Sequence, residues 1–130
     1  MLVLNEQQFN SAVATLSNYE DWTIDCETNG LDAYSYHQLC GIGVAVPDHT
    51  FYFPFRHQSL GGNLDPKYLS PLFDELNKIK RVVAYNLKFD VPFLEKEGLK
   101  LDDKQLIDVI VMARLTESSS VNTLSLTETI

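Results

Sequence analysis

The sequence predicts an α/β fold in which helices flank a mixed β-sheet. Segments with the spacing of amphipathic helices alternate with short apolar segments rich in β-formers along the 130 residues. Some β-rich segments follow one another directly and others are separated by a helix, so antiparallel and parallel neighbours are both expected. With 45% apolar residues, the chain suits one globular domain, which we assign to residues 1–130.

The first part of the chain predicts a short strand, a helix and a three-stranded meander. Residues 1–4 are apolar and β-like, and Asn5 caps a helix that ends near Asn18. The apolar positions of this helix are Phe9, Ala12, Val13 and Leu16. Three strands are then expected at residues 22–26, 38–46 and 51–54.

The second part of the chain predicts one more strand among several helices. After a loop at residues 59–66, a helix is expected at 67–78, followed by a strand at 81–85 that is parallel to a neighbour. A helix at 87–97 should end at Gly98, which suits the left-handed position after a helix. Residues 109–115 and 122–130 are expected to be helical as well.

Two carboxylates lie one residue apart at the end of the strand at 22–26. A strand points residues i and i+2 to the same face, so Asp25 and Glu27 should project together while Cys26 turns toward the core. Their mutual repulsion is best relieved by a divalent cation, and oxygen ligands suit Mg²⁺ or Mn²⁺. Such a site typically supports phosphodiester hydrolysis, so the chain is expected to be a nuclease.

A second polar pair lies where a strand runs into a helix. Asn86 and Asp90 are four residues apart, which puts both on one face of the new helix. Asp90 can therefore reach the sheet edge that carries Asp25 and Glu27. The simpler alternatives are that Asn86 is only a helix cap and that Asp90 is a solvated acid favoured by the helix dipole.

These segments resemble a known family. The residues IDCETNGLD (24–32) and AYNLKFDVPFLEKEG (84–98) are similar to the first two motifs of the DnaQ-like (DEDD) 3′-5′ exonucleases. The similarity is strongest to the proofreading domain of bacterial and phage family A DNA polymerases. It also includes GIGVAVPDHTFYFPFRH (41–57) and LIDVIVMARL (106–115). The resemblance implies a ribonuclease H-like fold with a mixed five-stranded sheet.

The resemblance implies a catalytic site as well as a fold. Asp25, Glu27 and Asp90 would be the catalytic carboxylates and would hold two divalent cations, Mg²⁺ or Mn²⁺. The implied reaction removes nucleotides from the 3′ end of single-stranded DNA by metal-dependent hydrolysis. A polymerase domain in the parent protein is the implied partner, and the cytoplasm of a bacterial or phage-infected cell is the implied location.

The resemblance also implies substrate contacts in the same two motifs. Asn86 would position the substrate strand, and Leu31 would wedge against the terminal bases. Thr28 and Lys88 are expected to contact the substrate too. Lys88, like Arg56, would contact a phosphate, and the simpler alternative for Lys88 is a solvated lysine on a helix face. Tyr34 and Tyr36 lie in the loop after the first motif and are expected either to stack on bases or to be half-buried packing residues.

The third motif of the family is missing from the sequence. Family members carry a Tyr or His followed four residues later by a fourth Asp, and no Tyr or His follows Tyr85 here. Asp108 resembles another family segment, and we interpret it as a helix-start residue. The domain is therefore expected to be incomplete at its C-terminus, with weak or no activity by itself.

Two alternative functions remain open. One is a non-catalytic exonuclease-like domain, kept in a polymerase for packing or for binding single strands. The intact Asp25 and Glu27 disfavour it, because such a domain has no need of adjacent repelling acids. The other is an RNA-processing exonuclease of the same fold, which contacts to the 2′-hydroxyl would distinguish.

Composition restricts the kind of nucleic-acid binding that is possible. The formal net charge is −8, with 10 Lys and Arg against 18 Asp and Glu, whereas phosphate contacts normally need basic residues. No apolar stretch approaches the roughly 20 residues that cross a bilayer, so a membrane partner is not expected. Cys26 and Cys40 are expected to be free buried thiols.

Overall fold

A five-stranded mixed sheet forms the centre of the structure, a computed structural model that describes residues 1–58, 61–101 and 105–109. The helices are α1 (Glu6–Leu16), α2 (Leu69–Leu76) and α3 (Leu87–Lys96), and a 3₁₀ turn (Pro66–Tyr68) precedes α2. The strands are β1 (Asp21–Thr28), β2 (Leu39–Val46), β3 (His49–Pro54), β4 (Arg81–Ala84) and β5 (Gln105–Asp108).

The strand order is β3-β2-β1-β4-β5. β1, β2 and β3 form the predicted antiparallel meander, and β4 lies parallel to both β1 and β5. The last pair between β1 and β4 joins Ile24 to Ala84. β1 therefore continues past the end of β4, and residues 25–28 have no β4 residue beside them.

All three α-helices pack on the same face of the sheet. The Trp22 indole of β1 donates to the Leu16 carbonyl of α1 at 3.1 Å, and Leu72 of α2 and Leu94 of α3 lie around Ile24. β1 alternates between buried and exposed residues, with Cys26 directed into the core. Asp25 and Glu27 lie on the opposite face, as their spacing predicted.

Local patterns placed most of the elements correctly. Asn5 and Asn86 cap α1 and α3 through their side chains, and Gly98 follows α3 with a φ of 103°. Cys26 and Cys40 are free and buried. None of the helices in the described residues is long and apolar enough to cross a membrane.

The fifth strand is not the one that the sequence predicted. The predicted strand at residues 1–4 forms a single bridge between Leu2 and Tyr52, whereas Gln105–Asp108 completes the sheet as β5. A four-residue strand has no measurable periodicity, and its pairing depends on a distant part of the chain. Of the helix predicted at 109–115, residue 109 is described and is helical, while residues 110–115 and the helix predicted at 122–130 lie outside the described residues.

Candidate metal centre

The carboxyl end of β1 is the place where the acidic side chains gather. Parallel β4 ends opposite Ile24, and the chain then turns into α3 beside the continuing β1. β5 ends at the same level, with Asp108 paired to Ala84. The first turn of α3 and the ends of β1 and β5 therefore share one edge of the sheet.

Two side chains fix the start of α3 at this edge. Asn86 Oδ1 accepts a hydrogen bond from the Phe89 amide at 3.4 Å, and Asp108 Oδ2 accepts one from the Leu87 amide at 3.1 Å. Asp108 is thus the last residue of β5 and its side chain caps α3, and because residue 109 is helical it also directly precedes a helix, as its interpretation as a helix-start residue predicted. The cap orients α3 so that Asp90 lies in the first turn of a fixed helix.

Asp90 is buried, with 5% of its surface exposed, and is the one buried charged residue in the described part of the chain. Burial, together with the charges of Asp25, Asp108 and Glu27 in that order, raises the pKa of its carboxyl to about 7. The expectation of a solvated acid at this position is therefore wrong. The charges of Asp25 and Glu27 act on Asp90, and the convergence of the three carboxylates on one cation stays a prediction.

The pKa of the Cys26 thiol responds to the same carboxylates. Burial raises the pKa of its thiol, and the carboxylates of Asp90, Asp25 and Glu27 raise it as well. The two motifs, at residues 24–32 and 84–98, therefore come together around one position of β1.

Asp25, Glu27 and Asp90 form no ion pair within residues 1–58, 61–101 and 105–109. The four ion pairs found there join Arg56 to Glu97, Lys78 to Glu75, Lys80 to Glu20 and Arg81 to Asp21. None of them includes Asp25, Glu27 or Asp90. Closely spaced carboxylates without a basic partner are unfavourable, and their oxygen atoms are the donors that Mg²⁺ and Mn²⁺ prefer.

The side chains are not already arranged around a metal position. Within residues 1–58, 61–101 and 105–109, no group of three or more acidic, histidine or cysteine side chains stands close enough to hold an ion. Asp25 and Glu27 are exposed and able to change rotamer, whereas Asp90 is fixed by burial. The donor chemistry therefore fits a divalent cation, and closing the site requires the two exposed side chains to turn.

The face beside Glu27 carries a pair of residues that sequence reasoning did not single out. The Tyr52 hydroxyl is hydrogen bonded to His57 Nε2, and its ring lies so close over Gly41 that a β-carbon there would collide with it. Burial raises the pKa of Tyr52, and the charge of Glu27 adds to this effect. The signal available was the Gly-x-Gly of β2, which leaves room for a large neighbour beside β1.

The residues that were expected to contact substrate differ in exposure and in the partners that they already have. The Thr28 hydroxyl donates to the Gly30 carbonyl at 2.6 Å, while Leu31 and Lys88 are exposed. Arg56 is not free for a phosphate, because it pairs with Glu97 at 2.7 Å and donates to the Leu39 carbonyl at 2.6 Å. Arg56 holds α3 against β2 instead.

Sequence comparison identifies the family. A family model described as 3′-5′ exonuclease, of the DNA polymerase A type, matches residues 1–129. The chain belongs to this 3′-5′ exonuclease family. Nuclease activity and the use of divalent metal ions are typical of such exonuclease domains.

The relatives of this exonuclease-family chain include phage DNA polymerases. It is 32% identical over 107 residues to DNA polymerase DpoZ of Salmonella phage PMBT28, and 32% identical over 100 residues to DpoZ of Vibrio phage phiVC8. These matches cover 82% and 75% of the chain, and in both cases 14% of the polymerase. The chain therefore spans a small part of the length of these relatives.

Solved structures share the fold of this exonuclease-family chain at low sequence identity. The Nibbler EXO domain of Aedes aegypti has a TM-score of 0.69 and 14% identity, over 97% of this chain and 64% of that chain. Trypanosoma brucei RNase D in complex with RNA U12 has a TM-score of 0.66 and 16% identity, over 96% and 48%. Brucella melitensis NrnC with bound Mg²⁺ has a TM-score of 0.54 and 14% identity, over 82% and 49%. The ribonuclease H-like exonuclease fold is confirmed.

Proposed function

We propose that the chain is a proofreading-type exonuclease domain that removes nucleotides from the 3′ end of single-stranded DNA. Asp25, Glu27 and Asp90 are the proposed catalytic residues and hold two divalent cations, Mg²⁺ or Mn²⁺. The observation that carries the proposal is the position of Asp90, a buried carboxyl beside two exposed carboxylates at the end of β1.

Electrostatics explains why this arrangement suits a cation. A buried carboxylate near like charges destabilises the folded state unless a positive charge compensates it, and no ion pair in the described residues does so. A structural role would be served better by a neutral residue of similar size at position 90. The cluster is therefore best explained as a set of cation ligands.

Divalent cations held by Asp25, Glu27 and Asp90 would supply activation of the attacking water and stabilisation of the charge on the leaving 3′ oxygen. Asp90 supplies a carboxylate held by burial, and Asp25 and Glu27 turn toward it from the exposed face. The Tyr52 ring lies over Gly41, the β2 residue that is paired with Glu27, and so borders the site on the β2 side.

The substrate contacts follow from the elements at the same edge. Asn86 accepts a hydrogen bond through Oδ1 in capping α3, which leaves its Nδ2 group to donate to a phosphate. Leu31 is exposed and able to pack against the terminal base, and Lys88 is exposed in the first turn of α3. Thr28 fixes the turn that carries Leu31. Orientation of the scissile phosphate by such contacts contributes a large part of the rate.

DNA is favoured over RNA by the sequence relatives. They are DNA polymerases at 32% identity, whereas the structural neighbours that include RNase D with RNA share at most the fold at 14–21% identity. We propose that the domain occupies residues 1–130 and works beside a polymerase domain in the cytoplasm of a phage-infected bacterial cell.

The proposal is tested by following a 5′-labelled single strand with the chain in excess and Mn²⁺ present. The expected product is a ladder that shortens from the 3′ end and stops in EDTA. An Asp25→Asn variant should cleave at least about 100-fold more slowly, because catalytic residues that act as a unit lose most of the rate when one of them is removed.

Asp21→Asn is the matched control. Asp21 lies on the same strand and the same face as Asp25, but it pairs with Arg81 at the other end. It should retain full activity. Equal rates in Asp25→Asn and wild type would refute the assignment, and faster cleavage of a matched RNA strand would identify the RNA-processing alternative.

A further inference from the structure

The segment between β1 and β2 presents the largest exposed aromatic side chains in the described part of the chain. Tyr34 is 88% exposed and Tyr36 is 84% exposed, next to Leu31 at 85%. These tyrosines are not half-buried packing residues, so that expectation is wrong. Exposed apolar side chains grouped in one short segment mark an interaction surface.

The backbone beneath these side chains is held by several hydrogen bonds. Lys96 Nζ, at the end of α3, donates to the carbonyls of Ser35 and His37, both at 2.7 Å. The amide of Tyr34 donates to Asp32 Oδ1 at 2.9 Å. The Tyr36 ring packs on the His37 ring, with centroids 4.6 Å apart. The two tyrosines are thus displayed on an ordered segment, which lowers the entropy that binding must overcome.

A groove runs between this segment and the last turns of α3. Its volume is about 340 Å³, which is within the range of small-ligand sites. It is lined by Ala33, Tyr34, Ser35, Pro92, Glu95 and Lys96.

The groove lies toward the C-terminal end of α3, the same helix whose first turn carries Asp90. Lys88, Pro92 and Glu95 follow one another at helical i+4 and i+3 spacing, so they lie on one side of the helix. From Asp90 to Lys96 the helix rises about 9 Å. A strand whose 3′ end lies at the carboxylates therefore reaches Tyr34 within a few nucleotides.

The charge of the chain determines what kind of contact this surface makes. A net charge of −8 gives little general attraction for phosphates, so affinity for a single strand has to come from the bases. Aromatic side chains bind unpaired bases by stacking, which is tolerant of sequence.

We propose that Tyr34 and Tyr36 form a stacking platform for the bases of the single strand that lie upstream of its 3′ end. The inference rests on the proposed function, because it uses the position of the 3′ end at the carboxylates. It commits to a single nucleic-acid strand as the occupant of this surface.

Fluorescence anisotropy with a labelled thymidine strand of about ten nucleotides tests the platform. The titration is done in EDTA, so that metal-dependent hydrolysis stops, and at physiological ionic strength, which screens the acidic surface. We expect Tyr34→Ala and Tyr36→Ala each to weaken binding by about tenfold, the scale of one stacked base. Tyr34→Phe and Tyr36→Phe keep the ring and should bind like wild type.

An abasic strand of the same length separates base stacking from phosphate contacts. It should bind wild type and the alanine variants equally weakly. Unchanged binding in both alanine variants, or no binding of the thymidine strand by wild type, would overturn the platform and leave this surface to a protein neighbour.

The proposed function has a separate readout. A calorimetric titration of the same wild-type protein with Mn²⁺ tests the carboxylates alone, without any strand. Mn²⁺ binding combined with unaffected strand binding in the tyrosine variants would refute only the platform. A flat Mn²⁺ titration would refute the metal site itself.

Discussion

Acidic side chains at one end of the β1–β4 pair have basic partners, whereas those at the other end lie beside other acids. At the amino end, Asp21 pairs with Arg81 at 2.8 Å and Glu20 pairs with Lys80 at 3.5 Å. At the carboxyl end, Asp25, Glu27 and Asp90 lie close enough for Asp25 and Glu27 to raise the pKa of Asp90, without an ion pair in the described residues.

The difference shows that the carboxyl end is not arranged for stability of the free protein. Exposed ion pairs such as those at the amino end contribute little, typically below about 1 kcal/mol, because solvent screening and side-chain entropy offset the attraction. A buried carboxylate beside two others destabilises the chain until a cation binds. We therefore expect changes at the two ends to have opposite consequences for stability and function.

The largest expected effect is the loss of metal affinity in Asp90→Asn. We expect Mn²⁺ to bind this variant more than about 100-fold more weakly, because losing even an outer contact to a ligand typically costs 10- to 100-fold. Isothermal titration calorimetry measures the affinity. Asp21→Asn, at the amino end, should bind Mn²⁺ like wild type, and equal affinities in all three proteins would contradict the proposed role of Asp90.

The second effect concerns stability in the absence of metal. The pKa of Asp90 is raised from 3.8 to about 7, so the folded state holds its proton more tightly than the unfolded state does. This contribution to the free energy of unfolding is present below pH 3.8 and is lost as the pH rises toward 7. Asp90→Asn cannot ionise, so it should match wild type at pH 4 and exceed it at pH 8 by up to a few kcal/mol.

Urea unfolding in EDTA at the two pH values measures this difference. Comparing the two proteins removes the contributions of other carboxylates, which both share. A wild-type protein that is equally or more stable than Asp90→Asn at pH 8 would show that residue 90 is not a destabilising charge. If the prediction holds, replacing EDTA with Mn²⁺ should raise the free energy of unfolding of wild type but not that of Asp90→Asn.

A third and smaller effect is expected from Gly41→Ala at the carboxyl end. A β-carbon at this position meets the Tyr52 ring and hydroxyl, so Tyr52 and its hydrogen bond to His57 must shift. We expect a loss of about 1–3 kcal/mol in the free energy of unfolding, the usual cost of overpacking. Gly61→Ala is the control, because no atom lies within 4 Å of its β-carbon position. Equal stabilities of the two variants would argue against the Tyr52 contact.

The smallest effect is expected at the amino end of the strand pair. Arg81→Met removes the exposed ion pair with Asp21 while keeping most of the side-chain length. We expect the free energy of unfolding to change by less than about 1 kcal/mol, with no change in Mn²⁺ affinity. Thermal or urea unfolding measures the first and calorimetry the second. A change as large as that of Gly41→Ala would mean that the two ends do not differ in the way described.

Much of the site could be predicted because its signals are local. The alternation of β1 put Asp25 and Glu27 on one face, and the helix cap at Asn86 fixed the position of Asp90 in its first turn. The fold class followed from the same patterns. The roles of these residues in catalysis remain a proposal that the experiments above test.

Several features could not be predicted because they depend on distant parts of the chain. β5 is too short to have a pattern, and Asp108 caps α3 only because β5 lies beside β4. Tyr34 and Tyr36 were ambiguous because exposure of a loop side chain depends on what packs against it. Arg56 was expected at a phosphate, but Glu97, far away in sequence, holds it instead.

The sequence by itself determined which residues share a face, where α3 begins, and that two acidic motifs exist, since each of these depends on neighbours within one or two turns of backbone. Only the tertiary structure decided that Asp90 is buried, that its charge meets those of Asp25 and Glu27, and that Tyr34 and Tyr36 remain exposed. Burial and electrostatic interaction arise when strands and helices distant in the chain pack together, and side-chain periodicity carries no information about that packing.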